Sequence, residues 1–320
     1  MTRLLRLACL AAIALSIAPA FAADYPTRPV KWIVSYPPGG TTDVLARIMA
    51  QWLSEKMGQQ FIVENKPGGG NNIGVEFVVK SPPDGYTIFL VNPANGINAT
   101  LYKDLPFNFI RDIAPVAGLA RSPNVMEVPT SFSAKTVREF IDYCKANPGK
   151  VNMASSGSGT SVHLSGELFK SMTGCQMLHV PYKGAGPALT DLMAGQVHVL
   201  FDNLPSSIGH IKGGRLRALA VTSTQRSPSL PDVPTLTETV PGYEATAWFG
   251  IGVPRGTPRE IIDRLNAEVN RALADPKMRE RLAELGGWPI AGTPEDFGRV
   301  IAAETEKWSK VVISSGAKVE

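Results

Sequence analysis

Four short segments, rich in glycine, proline and small polar residues, contain the groups most able to hold a ligand. They are residues 36–43 (Tyr-Pro-Pro-Gly-Gly-Thr-Thr-Asp), 92–95 (Asn-Pro-Ala-Asn), 155–161 (Ser-Ser-Gly-Ser-Gly-Thr-Ser) and 202–206 (Asp-Asn-Leu-Pro-Ser). Glycine lets a backbone approach a ligand closely, and the free N–H groups at the start of a helix carry a partial positive charge. This combination favours the binding of a small anion.

Several side chains in or beside these segments could add to such a site. Hydroxyls of Thr41 or Thr42, and of Thr160 or Ser161, would stand at helix starts as donors. His163 follows closely enough to reach a ligand, although a lone helical histidine is more often structural. Asp202 could order its loop, accept from an ammonium group or cap a turn, and ordering the loop is the favoured role. The simpler interpretation of each segment alone is an ordinary helix cap.

Sequence signatures of common catalytic and metal sites are missing from the chain. The segment 155–161 lacks the Gly-Lys-Ser/Thr ending of a phosphate-binding loop and the third glycine of a dinucleotide-binding turn. There is no Gly-x-Ser-x-Gly elbow, no His-Glu-x-x-His and no Cys-x-x-Cys. We therefore expect no catalytic residues, no metal and no cofactor.

The segments follow predicted strands of an α/β fold. The pattern of apolar residues predicts strands at 30–34, 61–63, 87–91, 151–154, 178–180, 197–201 and 216–221. It predicts helices at about 44–53, 71–80, 134–146, 161–172, 187–194, 258–274, 276–285 and 294–313. Strand-helix alternation implies parallel sheets covered on both faces. Ligands of such sheets bind at the carboxyl ends of the strands, where the four segments stand.

The length and the order of elements predict two doubly wound domains joined by a hinge that the chain crosses twice. Domain 1 would comprise 23–124 and 248–320, and domain 2 would comprise 125–247. Residues 114–126 form the first crossing, and the proline-rich stretch 226–242 is predicted to be irregular. The last helices would return to pack on domain 1.

The first 22 residues predict export. Arg3 and Arg6 precede an apolar run at 7–17, and Ala20-Phe21-Ala22 suits a signal peptidase, so the mature chain would begin at Ala23 in the periplasm. The 32 basic residues exceed the 28 acidic ones by four. Two of the basic residues lie in the removed segment, so the exported chain has a formal charge of +2. Neither nucleic acid nor a membrane surface is an expected partner.

Two cysteines remain in the exported chain, Cys144 and Cys175. An oxidising compartment would permit a disulfide between them, but a domain of this size does not need one. Two buried thiols are the favoured interpretation.

Long motifs that include these segments resemble the substrate receptors of tripartite tricarboxylate transporters. The motifs are YPPGGTTDVLAR (36–47), VENKPGGGNNIG (63–74), SSGSGTSVHLSGELF (155–169), PYKGAGPALTDLMAGQV (181–197) and LPDVPT (230–235). The resemblance implies a flytrap-like periplasmic binding protein that delivers its ligand to an integral membrane transporter of two subunits. Family members take dicarboxylates, tricarboxylates, acidic amino acids or aromatic acids.

The resemblance also implies which residues touch the ligand. A carboxylate would be held between loops 36–43 and 156–161, with 92–95, 184–185 and 202 as further pocket segments. The expected ligand contacts are Tyr36, Gly39, Gly40, Thr41, Thr42, Asp43, Asn92, Ala94, Asn95, Ser156, Gly157, Ser158, Gly159, Thr160, Ser161, His163, Gly184, Ala185 and Asp202.

We expect a monomer that closes around a small organic carboxylate. Two alternatives remain open from the sequence: an exported protein that presents a ligand to a sensor kinase, and a secreted hydrolase on a similar fold.

Overall fold

A computed structural model describes residues 25–319. The predicted signal peptide and its cleavage site lie outside the described residues. The strands are β1 (Val30–Val34), β2 (Phe61–Asn65), β3 (Thr87–Val91), β4 (Ile113–Pro129), β5 (Val151–Ser155), β6 (Met177–Pro181), β7 (Val199–Asn203), β8 (Leu216–Val221), β9 (Thr246–Pro254) and β10 (Trp288–Pro289). The helices are α1 (Thr41–Met57), α2 (Asn72–Val79), α3 (Pro93–Leu101), α4 (Phe109–Asp112), α5 (Val137–Ala146), α6 (Ser161–Thr173), α7 (Ala185–Met193), α8 (Leu204–Lys212), α9 (Arg259–Ala274), α10 (Pro276–Glu284) and α11 (Pro294–Ser315).

The strands form one continuous sheet in the order β2-β1-β3-β9-β4-β7-β5-β6, with β8 and β10 also paired to β4. Three parallel strands stand at each end, β2-β1-β3 and β7-β5-β6. We call the part of the chain built on the first triplet the first lobe and the part built on the second the second lobe. The predicted α/β class with two doubly wound domains is confirmed.

Strand β4 joins the two lobes. Residues 113–123 pair antiparallel with β9, and residues 124–127 pair antiparallel with β7. The pairing partner therefore changes between Pro123 and Asn124. Asn124 is completely buried, and its side-chain amide donates to the Phe201 carbonyl oxygen at 2.9 Å and to Ser165 Oγ at 3.0 Å. The domain boundaries proposed from the sequence stay a prediction.

Helix ends follow local sequence signals. Gly58 follows the end of α1 and Gly174 follows the end of α6, and both have the left-handed conformation that glycine adopts without strain. Helix α11 begins with a capping box, in which Thr293 and Asp296 satisfy each other's backbone N–H groups, and has Pro294 in its first turn. These signals explain why the predicted helices match the observed ones closely.

Each lobe has its own apolar core, and the last helix contributes to both. Trp32 and Phe249 belong to the first-lobe core, and Phe140 and Phe201 belong to the second. Helix α11 packs against α3, β4 and α6. Its early residues Phe297 and Ile301 lie in a first-lobe cluster, whereas Trp308 and Val312 lie in the second-lobe core. Sequence reasoning placed this helix on the first domain only.

Three sequence expectations need correction. Strands β4 and β9 are antiparallel to their neighbours, so the sheet is mixed and not purely parallel. Residues 92–95 form the cap and first turn of α3, and residues 204–206 form the first turn of α8; neither helix was predicted. Both helices have proline in their first turn, where its missing N–H costs nothing, and the proline was interpreted as a loop signal.

Two further features concern the thiols and the membrane. Cys144 and Cys175 are free and buried, which confirms the favoured interpretation.

Among residues 25–319, no helix combines the length and the apolar character needed to cross a bilayer.

Candidate ligand-binding cleft

A cleft between the two lobes is lined by residues from both. The empty space in it and at its mouth totals about 430 Å³, open solvent included. The lining residues are Tyr36, Pro37, Gly40, Thr41, Thr42, Asn92, Pro93, Ser156, Thr160, Ser161, Ala185, Asp202, Asn203, Ser206 and Phe249.

The lobes touch each other around this cleft. Thr41 Oγ1 of the first lobe lies 3.1 Å from Ser206 Oγ of the second. A Cβ added at Gly184 would lie 2.9 Å from Pro37 Cδ, so glycine is required for this approach. The structure therefore presents the two lobes in a closed arrangement.

The first-lobe loop is held by Asp43 and Asn65. The Gly39 N–H donates to Asp43 Oδ2 at 3.0 Å, and Asn65 Nδ2 donates to the Tyr36 carbonyl oxygen at 2.9 Å and to Asp43 Oδ1 at 2.9 Å. Arg47 binds the same carboxylate with two N–H groups at 2.9 Å. Asp43 is thus fully engaged in fixing the loop.

The ionisation of Asp43 suits this structural role. Burial alone would raise its pKa, but hydrogen bonds from Arg47, Gly39 and Asn65 lower the pKa below its ordinary value. Asp43 is consequently a carboxylate at neutral pH. Arg47, its partner, is half exposed.

The second-lobe loop is fixed by its own helix. Thr160 caps α6 by accepting from the His163 N–H at 3.1 Å, and its hydroxyl donates to the Gly157 carbonyl oxygen at 2.7 Å. The Gly159 N–H donates to His163 Nδ1 at 3.2 Å. Gly157 and Gly159 have φ values of +126° and +82°, which side-chain-bearing residues adopt only with strain.

His163 lies beneath this loop and not in the cleft. Its ring stacks on His179 with centroids 4.0 Å apart, and His179 Nε2 lies 2.7 Å from Ser155 Oγ. Burial, followed by the charges of His179 and Lys170, lowers the pKa of His163 to about 3. His163 is therefore a neutral acceptor that positions Gly159.

Two further segments present helix starts. Asn92 caps α3: its side chain accepts from the Ala94 N–H at 3.1 Å, and Asn95 Oδ1 accepts from the Asn92 N–H at 2.8 Å. Gly184 and Ala185 begin α7. Ala94 and Asn95 are therefore engaged within their own helix turn.

Asp202 and its neighbours close the second-lobe wall. Ser206 Oγ lies 2.5 Å from Asp202 Oδ2, and Asn203 Nδ2 donates to Ser161 Oγ at 3.1 Å. These contacts tie the start of α8 to the start of α6. They agree with the expected role of Asp202 in ordering its loop.

Five helices begin at this cleft. The first residues or caps of α1, α3, α6, α7 and α8 all line it. Each helix start carries about half a positive charge from its unpaired N–H groups. Together with the hydroxyls of Thr42 and Ser161, this arrangement favours a bound anion without a basic side chain.

Ten of the nineteen expected contacts line the cleft, and nine do not. Those that line it are Tyr36, Gly40, Thr41, Thr42, Asn92, Ser156, Thr160, Ser161, Ala185 and Asp202. Seven of these nine support the lining loops from behind or beside the cleft: Gly39, Asp43, Ala94, Asn95, Gly159, Gly184 and His163. Gly157 and Ser158 face an adjoining pocket with Tyr102 and Lys183.

Five lining residues were not selected from the sequence. Four of them lie within the segments singled out from the sequence, which were therefore sufficient to locate them: Pro37, Pro93, Asn203 and Ser206. Phe249 lies in the middle of β9 and is completely surrounded by other residues apart from the cleft. Nothing local distinguishes it from a core aromatic residue, because its position depends on the antiparallel return of β9 between the lobes.

Within residues 25–319, no three histidine, cysteine, aspartate or glutamate side chains cluster in a way that could hold a metal ion.

Solved structures share this fold over nearly the whole chain. The structure described as "R. palustris Rpa4515 with adipate" is 41% identical, with a TM-score of 0.91, covering 93% of this chain and 100% of that one. MatC (Rpa3494) from Rhodopseudomonas palustris with bound malate is 31% identical, with a TM-score of 0.86, covering 90% and 100%. The predicted periplasmic-binding-protein fold is therefore confirmed.

Sequence relatives agree with the structural ones. Protein BugT of Bordetella pertussis (strain Tohama I) is 38% identical over 324 residues, covering 100% of this chain and 99% of that protein. Residues 45–316 match the family described as the tripartite tricarboxylate transporter family receptor. The chain belongs to this receptor family.

Proposed function

We propose that this protein is a periplasmic receptor that closes its two lobes around a small organic carboxylate and delivers it to a two-subunit membrane transporter of the tripartite tricarboxylate type. The convergence of five helix starts on one interlobe cleft carries the proposal. A receptor needs donors that hold its ligand and no catalytic group, and the helix starts at the cleft supply such donors.

The strength of such a site can be estimated from its donors. Hydrogen bonds to a charged group contribute about 1.5–3 kcal/mol each. Three or four of them, after the cost of association, support binding in the micromolar range. Closure would bury the carboxylate between the lobes, and the transporter would recognise this closed form.

The ligands of the two solved relatives suggest where to begin. Adipate and malate are both dicarboxylates, and each is bound by a protein of the same fold. We therefore place small dicarboxylates first among the acids to test, ahead of tricarboxylates, acidic amino acids and aromatic acids.

Thermal unfolding with a panel of organic acids tests ligand binding. An acid present at about a hundred times its Kd stabilises the folded state by about 2.7 kcal/mol and raises Tm by on the order of 5 °C. Thr41→Val keeps the side-chain shape but removes the hydroxyl that donates to Ser206 Oγ across the cleft. Its Kd should be about fivefold higher, since the hydrogen bond lost from the closed form contributes about 1 kcal/mol.

Thr190→Val is the matched control, because Thr190 is exposed on α7 away from the cleft. Its Kd should equal that of the wild type. A panel in which no acid raises Tm contradicts the proposed function.

The membrane partner requires a separate experiment in cells. Crosslinking of the receptor in the presence of a stabilising acid should capture two integral membrane subunits. Capture of a sensor kinase in their place would favour the ligand-presenting alternative.

A further inference from the structure

The cleft combines an anion-binding backbone with an acidic side chain. Among the described residues that line it, Asp202 alone carries a formal charge, and Tyr36 is the other titratable residue. No lysine, arginine or histidine is in this lining set. A carboxylate bound here would therefore lie near a second negative charge, which is unfavourable unless Asp202 is neutral.

Asp202 is connected to a second buried acid. Ser207 Oγ lies 2.9 Å from Asp202 Oδ2 and 2.7 Å from Glu127 Oε1. Glu127 is in β4 and is completely buried, and its Oε2 has no hydrogen-bond partner. Asp202 is 1% exposed. The two carboxyl groups thus share one serine hydroxyl in a water-poor environment.

The number of hydrogens limits the charge of this pair. A serine hydroxyl has one hydrogen and can donate it to only one of the two carboxyl groups. The second contact is a hydrogen bond only when that carboxyl group carries a proton of its own. Ser206 and the Asn203 backbone also donate to Asp202, but Glu127 shares only the Ser207 hydroxyl, so an unprotonated pair would leave the buried charge of Glu127 poorly compensated and the pair holds at least one proton.

Glu127 is the group that holds this first proton. Its burial, and then the charge of Asp202, raise the pKa of Glu127 well above its ordinary value, against the hydrogen bond from Ser207. Burial also raises the pKa of Asp202, to about 6, while hydrogen bonds from Ser206, Ser207 and the Asn203 backbone act in the opposite direction. Asp202 is therefore the group that changes charge near neutral pH.

The other ionisable groups around the cleft do not change charge in this range. Asp43 of α1 is a carboxylate paired with Arg47. His163 of α6 is neutral, and burial raises the pKa of Tyr36 above its ordinary value. The site thus has one group able to adjust its charge to the ligand.

We propose that Asp202 is a specificity-determining residue that takes up one proton when a carboxylate enters the cleft and presents a neutral carboxyl group to it. This inference rests on the proposed function. An acid that carries an ammonium group beside its carboxylate would instead pair with ionised Asp202 and bind without proton uptake. Asp202 would in this way separate simple carboxylates from amino acids.

Isothermal titration calorimetry with adipate measures the proton directly. Titrations at pH 7 in two buffers with different ionisation enthalpies should give uptake of about 0.9 proton per bound adipate, because about nine tenths of Asp202 is ionised beforehand. The apparent Kd should be about ninefold higher at pH 8 than at pH 7, since only protonated Asp202 is competent. Malate provides a second probe under the same conditions.

Variants identify the group that takes up the proton when the ligand binds. Asp202→Asn should abolish the uptake and leave the Kd the same at pH 7 and pH 8, whereas Glu127→Gln should retain the uptake, because Glu127 is already neutral. Glu306→Gln is the control, since Glu306 is exposed on α11 and paired with Lys310. It should behave as the wild type in both measurements.

The possible results distinguish failure of the proposed role of Asp202 from failure of the proposed receptor function. Wild-type protein that binds adipate or malate without proton uptake overturns the role of Asp202 and leaves the receptor function intact. Binding of neither these acids nor any other of the panel overturns both. The wild-type titration decides the matter even if a variant does not fold.

Discussion

The approach of Gly159 to Asn98 offers a sharp test of how closure supports binding. Gly159 lies in the second-lobe loop with φ of +82°, and Asn98 lies in α3 of the first lobe. A Cβ at position 159 would overlap Asn98 Oδ1 and would lie 3.3 Å from Asn98 Cγ and 3.1 Å from Leu101 Cδ2. The substitution Gly159→Ala should therefore oppose the closed arrangement specifically.

Asn98 cannot simply move away from a new methyl group. Its Nδ2 donates to the Gly70 carbonyl oxygen at 2.7 Å and to Asn72 Oδ1 at 3.0 Å, and the residue is 1% exposed. Insertion of a methylene-sized group into such a packed contact costs about 1–3 kcal/mol. Ile97 of the same helix lies in the second-lobe core, but Asn98 itself is bonded to Gly70 and Asn72 of the first lobe. We therefore expect this cost to fall on the closed form and to raise the Kd about 5- to 150-fold.

Gly174→Ala is the matched control for backbone strain. Gly174 ends the same helix that follows Gly159, has φ of +74°, and would place its Cβ in open space. Both substitutions should lower the free energy of unfolding by about 1–2 kcal/mol through the left-handed conformation alone. Only Gly159→Ala should also weaken ligand binding.

Two measurements separate these effects. Urea unfolding without ligand gives the stability of each variant, and calorimetry with adipate or malate gives the Kd. Equal Kd values for the two alanine variants would refute the reasoning, because they would show that the contact between Gly159 and Asn98 is not closed in the ligand-bound state.

Two further predictions concern pH and the last helix. Because burial keeps the pKa of His163 at about 3, below about 6.5 in an unfolded chain, the unfolded state binds the proton first as pH falls. The free energy of unfolding, measured with urea, should fall between pH 7 and pH 5, and in His163→Asn this fall should be smaller by about 2 kcal/mol. A fall as large as in the wild type would show that His163 is not neutral in the folded protein. Trp308→Ala should lower the free energy of unfolding by about 3–5 kcal/mol, because Trp308 is 1% exposed in the second-lobe core. Lys310→Ala on the exposed face should cost less than about 0.5 kcal/mol, and similar costs for the two would contradict the packing of this helix.

Local patterns predicted the parallel strands and most helices. The runs that became β1, β3 and β5 are short, apolar and bounded by turn residues, and α9 has apolar residues at helical spacing. Glycine and hydroxyl residues after strand ends likewise indicated the cleft, because the carboxyl ends of parallel strands meet at one edge. These inferences needed only neighbouring residues.

Contacts between distant parts of the chain could not be predicted from local sequence patterns. Phe249 lines the cleft because β9 returns antiparallel between β3 and β4, and the sequence of β9 alone gives no direction of pairing. The link from Asp202 through Ser207 to Glu127 joins residues 75 to 80 positions apart. A buried glutamate within β4 has no local signal other than its apolar neighbours.

Helix α11 has a mechanical consequence for any motion of the two lobes. It runs for 22 residues from a cluster containing Phe297 to the opposite core at Trp308, and an α-helix of this length is stiff along its axis. Wide separation of the lobes would pull one end of this helix out of the apolar cluster in which it packs. We therefore expect any opening to be limited in extent, because the packing of Trp308 and Val312 in the second-lobe core restricts how far the lobes can separate.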